Sequence, residues 1–161
     1  METKWLSADE REAWLGVFAV LELLPAALDA QLRRESELTR FEYYVLAMLS
    51  ERPDRTLQMT GLAALSNATL PRLSHVVRRL SERGLVDRAP CPGDGRATIV
   101  RLTDAGWDKL REAAPAHVAT VRRHVIDALT SEQVEQLTQI TRAMLGSLDP
   151  EGAMKPAEPG V

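Results

Sequence analysis

The stretch NATLPRLSHVVRRLSERG, residues Asn67 to Gly84, constrains the fold most, because the hydrophobic period changes where it ends. Leu73, Val76, Val77 and Leu80 recur at spacings of three and four, which on a helix makes one narrow apolar stripe. Pro71 lacks an amide donor and suits a first turn, so the helix starts no earlier than Asn67 or Thr69. Gly84 suits the position just past its end. At 100° per residue, Pro71, His75, Arg78 and Arg79 fall opposite the stripe, with Arg72 to one side. After Gly84 the period drops to two: LVDRAP and ATIVRLT read as short strands flanking CPGDG, a hairpin.

The preceding residues supply the rest of a compact unit. LTRFEYYVLAMLSERP reads as a helix opened by a Thr39–Glu42 capping box and followed by Pro53, with Phe41, Tyr44, Val45, Met48 and Leu49 on its apolar face. An extended piece, Arg55–Gln58, leads into MTGLAALSN, a helix of about two turns that ends near Ser66. Short helix, tight turn and second helix with a basic outer face is helix-turn-helix spacing, and the hairpin after it makes the winged variant.

Both ends of the chain read as helices outside that unit. From about Ala8 to Leu32, capped by Ser7, the apolar residues Leu6, Trp14, Val17, Phe18, Leu21, Leu24, Leu28 and Leu32 recur at helical spacing; Pro25 predicts a kink or a break. Thr103 caps a long helix over residues 104–129, with Pro115 predicting a second kink, and Thr130 with Gln133 opens the last helix. Such faces cannot be buried within one winged unit, so helices from two chains are expected to intertwine as a homodimer. The fold class is therefore mainly α: a winged helix-turn-helix at 37–102, a dimerisation region at 1–36 and 103–147, and a disordered Pro/Gly-rich tail at 148–161.

Charge distribution points to a polyanion. The whole chain carries −3, yet residues 67–101 hold seven arginines against three acids, a net +4 that leaves −7 elsewhere. No uninterrupted apolar run reaches the ~18–20 residues that span a bilayer. The charged N-terminus lacks a signal-peptide core, so a cytoplasmic protein with no membrane partner is expected. One cysteine excludes an internal disulfide.

GLAALSNATLPRLSHVVRRLSERGLVDR followed by DGRATIVRLTDAG resembles the MarR family of bacterial transcriptional regulators. The wing pattern Asp-x-Arg-Ala/Ser-x-x-Val/Ile-x-Leu-Thr is matched at Asp94, Arg96, Ala97, Leu102 and Thr103. The resemblance implies an obligate homodimer with recognition helices in successive major grooves of a double-stranded operator and wings at the minor grooves. It also implies a repressor released by a small aromatic or lipophilic effector bound between the dimerisation helices and the winged unit.

Arg96 is the expected wing-tip residue, because a guanidinium fits the narrow electronegative minor groove, with Asp94 orienting it by a charged pair. On the recognition helix, Arg72 suits guanine, His75 a base or phosphate, and Thr69, Ala68 or Pro71 a thymine methyl, while Arg78 and Arg79 suit phosphates. Trp14, Phe18, Tyr44 and His117 are the expected effector-site residues. His117 and His124 lie seven apart without further ligands, so no metal or other cofactor is expected. No enzyme is expected either: Ser74 and His75 are helix neighbours pointing ~100° apart, and the GDG turn precedes a strand rather than a phosphate-binding helix. A redox role for Cys91 and a winged-helix module that binds ligand or protein without DNA are the competing readings.

Overall fold

The computed structural model describes residues 3–154; the part of the expected tail at 155–161 lies outside the described residues. Six α-helices and three strands follow in the order α1 (Ala8–Ser36), α2 (Arg40–Ser50), β1 (Thr56–Gln58), α3 (Met59–Leu65), α4 (Leu70–Glu82), β2 (Val86–Cys91), β3 (Asp94–Leu102), α5 (Asp104–Val121) and α6 (Ser131–Leu148), with a π-helical turn at Arg122–Ile126. The sheet is antiparallel in the order β1-β3-β2.

The core lies inside the winged unit. Leu46 and Leu49 of α2, Leu62 of α3, Leu73, Val77 and Leu80 of α4, and Val86 and Val100 of the sheet are inaccessible to solvent. Of the α4 stripe, only Val76 is partly exposed. Leu32 near the end of α1, with Leu110 and Ala113 of α5, closes the same core. Each element thus contributes the apolar residues that its own period places on one face.

Four expectations about local structure need correction. Pro25 does not break α1, which runs unbroken to Ser36; leucines and alanines on both sides favour helix strongly enough to carry the lost hydrogen bond. Pro115 likewise sits inside α5, and the irregularity falls later, where the π turn ends the helix well before residue 129. The recognition helix, expected over 67–83, spans Leu70–Glu82, because Asn67 is left-handed (φ 46°) and Thr69 is the cap. Finally, Cys91 and Asp94 pair across the hairpin, so the wing turn is only Pro92–Gly93. Gly93 at φ 84° after a proline is type II turn chemistry, and a register shift at Pro90/Cys91 reconciles it with the strand twist.

The ends of the chain are different. Trp14, Phe18, Val20, Leu21 and Leu23 of α1 and Ile140, Met144, Leu145 and Leu148 of α6 are exposed. Although acidic residues interrupt it, α1 holds an 18-residue window of mean hydropathy 1.6, long and apolar enough by composition to cross a membrane. Its C-terminal residues Gln31, Leu32 and Ser36 are nevertheless buried in the fold.

Candidate nucleic-acid interface

Helix α4 presents a basic face because its apolar stripe is docked. Thr69 Oγ1 accepts from the Arg72 amide at 3.4 Å, capping the first turn, and Thr69, Leu70, Pro71, Arg72, His75, Arg78 and Arg79 are all exposed. These side chains do not share one environment. The Arg72 guanidinium lies 4.5 Å from the ring centre of Phe41 on α2, a cation–π contact that restricts its rotamers. Arg78 reaches His75 Nδ1 at 3.2 Å and stands 3.9 Å from Glu82. Arg79 turns toward α2, with Nη2 3.4 Å from Glu42 Oε1. Phe41, Glu42 and the exposed Leu70 were not among the residues expected at the site. Glu42 was legible as a capping-box residue, but its contacts across the fold were not.

The wing is a two-stranded ribbon with a charged tip. Asp94 Oδ1 accepts from the Arg96 backbone amide at 3.0 Å. The expectation that Asp94 orients the Arg96 guanidinium is therefore corrected: a carboxylate two residues before an amide closes an Asx turn and stiffens the backbone instead. The Arg96 side chain is exposed and enters no ion pair among those of the described residues. At the base, Arg101 Nε donates to Thr56 Oγ1 at 3.3 Å. Thr103 Oγ1 donates to the Gly84 carbonyl at 2.7 Å and accepts from the Gly106 amide at 3.0 Å, tying the end of α4 to the start of α5. Gly106 is required there, since a Cβ would lie 2.0 Å from the Leu85 carbonyl oxygen. Cys91 is half-buried, and its sulfur contacts the Gln58 amide and the Pro92 carbonyl, neither of them cationic.

The four expected effector residues are not gathered at one place. Trp14 and Phe18 pair with each other on the exposed half of α1, ring centres 6.2 Å apart. The Tyr44 hydroxyl donates to the Leu65 carbonyl at 3.3 Å, facing α3. His117 packs on Tyr43, ring centres 4.3 Å apart; burial pushes its pKa below 6.5, and its buried Nδ1 has no hydrogen-bond partner. A separate apolar groove of about 710 Å³ runs between α1, the π turn and α6, lined by Val20, Leu24, His124, Leu137 and Ile140 among others. Among the described residues, no group of three His, Cys, Asp or Glu side chains is placed to hold a metal.

A three-helix unit with a docked recognition helix, a basic outer face and a β-wing is a winged helix-turn-helix domain, here carried between long helical arms. The MarR family model matches residues 36–97, most of that unit. A crystal structure of Sco3205, a MarR family transcriptional regulator from Streptomyces coelicolor in complex with DNA, superposes with a TM-score of 0.88 at 41% identity, covering 96% of this chain and 97% of that one. The transcriptional regulator MhqR of Bacillus subtilis is 30% identical over 101 residues, 63% of this chain and 68% of MhqR. The transcriptional repressor IacR of Pseudomonas putida is 29% identical over 119 residues, 74% of this chain and 70% of IacR. The chain belongs to the MarR family, whose members are transcriptional regulators rather than enzymes.

Proposed function

We propose that the chain is a cytoplasmic, homodimeric repressor that binds a palindromic operator and is released by a small aromatic or lipophilic effector. The observation that carries the DNA reading is the joint exposure of the α4 face and the Arg96 tip, with Leu73, Val77 and Leu80 of α4 docked on the core. In that reading Thr69, Pro71, Arg72 and His75 meet base edges, Arg78 meets phosphate, and Arg96 enters the minor groove while Asp94 holds its backbone. Residues 37–102 form the DNA-binding domain, and 1–36 with 103–147 form the dimerisation region. The dimer is supported by the open apolar faces of α1 and α6, a burden that soluble monomers rarely carry. IacR is a repressor and Sco3205 was crystallised on DNA, which supports both parts of the reading. The effector reading rests on the half-buried pair His117 and Tyr43, where α5 packs on α2.

Titration against an inverted-repeat duplex and a scrambled one tests this. Wild type should prefer the repeat, and Arg96→Ala should weaken that binding by roughly 10- to 100-fold, the worth of one good groove contact. Absence of any preference over random duplex at moderate salt would reassign the chain to a winged-helix module that does not use DNA.

A further inference from the structure

Glu42 is a nearly inaccessible carboxylate, its side chain 2% exposed, sitting between the start of α2 and the basic helix α4. One part of its role is local: Oε2 accepts from the Thr39 amide at 2.8 Å, completing the capping box. The other crosses the fold. Arg79 Nη2 stands 3.4 Å from Oε1 and Arg83 Nη1 stands 3.8 Å from Oε2, while Oε1 accepts no hydrogen bond. A capping box is complete with glutamine in this position, so the cap alone does not call for a buried charge. An ionised carboxylate out of water is costly unless cations face it, and the two that pair with it come from α4 and its C-cap. The α2 turn bearing Glu42 is itself seated, because Asp29 of α1 accepts from the Arg40 amide at 2.8 Å.

We propose that Glu42 is a positioning residue for DNA recognition: it pairs with the half-exposed Arg79 and with Arg83, anchors that set the tilt of α4, and so draws them away from phosphate. This rests on the DNA-binding reading and sharpens it, dividing two neighbouring arginines between different tasks. Arg78 counts as a phosphate contact and Arg79 does not.

The test is the salt dependence of binding to operator and to random duplex for wild type, Arg78→Ala, Arg79→Ala, Arg79→Lys and Glu42→Gln. Arg78→Ala should reduce the log–log salt slope by about 1. Arg79→Ala should leave the slope unchanged while lowering the operator-to-random ratio by roughly 10-fold, and Arg79→Lys, which keeps the charge, should restore most of that ratio. Glu42→Gln, with its cap intact, should lower the ratio similarly and steepen the slope by about 1–2, as the freed arginines reach phosphate. Equal slope losses for Arg78→Ala and Arg79→Ala would overturn the proposal while leaving DNA binding in place. So would a Glu42→Gln protein that matches wild type in slope and ratio. Should Glu42→Gln fail to fold, the two Arg79 variants decide the matter. A wild type that binds no duplex at all removes the underlying reading as well.

Discussion

The winged unit and the helical arms are built from comparable amounts of apolar sequence and end in opposite states. Between Leu32 and Ala113 the leucines and valines close on one another, and the largest fully buried side chains all lie in that span. In the first half of α1 and in α6 the same residue types face outward, and the groove between them is open. Short elements joined by tight turns bring their stripes together within one chain. Long helices at the two ends reach past that core and have nothing of their own chain to bury against. The first arrangement yields a folded unit, the second the surface that the proposed dimer would bury.

Placing a charge in the open groove breaks the comparison most severely. Leu24→Glu should convert a dimer to monomer by light scattering and weaken operator binding by roughly 1,000-fold or more, because two-fold symmetry plants the charge twice. A Leu24→Glu protein that stays dimeric would remove α1 and α6 from the interface.

Within the winged unit the same chemistry should be read as stability. Leu73→Ala empties a site with no solvent access and should cost about 2–5 kcal/mol in urea unfolding, with the folded fraction still dimeric. Gly106→Ala forces a methyl against the Leu85 carbonyl and should cost about 1–3 kcal/mol in the same assay. A cost near zero would mean that the α4–α5 tie is slack.

The smallest effect belongs to the seam between the two regions, where His117 of α5 packs on Tyr43 of α2. Burial lowers the pKa of His117 below 6.5, so the folded protein prefers it neutral. That stability is present above pH 6.5 and is lost as pH falls through 6.5 toward the lower folded value. His117→Phe should flatten this part of the stability–pH profile, and an unchanged profile would clear His117 of any part in it.

Legibility from sequence followed the range of the interactions. The Ser7 and Thr103 caps, the Thr39 and Thr130 boxes, the α4 stripe and the existence of the wing depend on neighbours a few residues away, and each could be read directly. The wing turn was read too long, because Pro92 and Gly93 close it more tightly than the surrounding glycines suggest. Neither Pro25 nor Pro115 breaks its helix, since good helix formers on both sides tolerate one missing bond. The candidate site divides in the same way. That Arg72, Arg78 and Arg79 share the outer side of α4 is periodicity. That Arg72 rests on Phe41 and Arg79 on Glu42 is not, because those partners lie more than thirty residues away.

The sequence by itself determined a winged helix-turn-helix with a basic recognition helix, since hydrophobic period, caps and charge spacing are properties of short windows. It took the packed fold to show which of the exposed arginines on α4 also reaches a buried carboxylate, and that Asp94 holds a backbone amide rather than a guanidinium. Those outcomes depend on which atoms packing brings within hydrogen-bond reach, and no spacing along the chain encodes that distance.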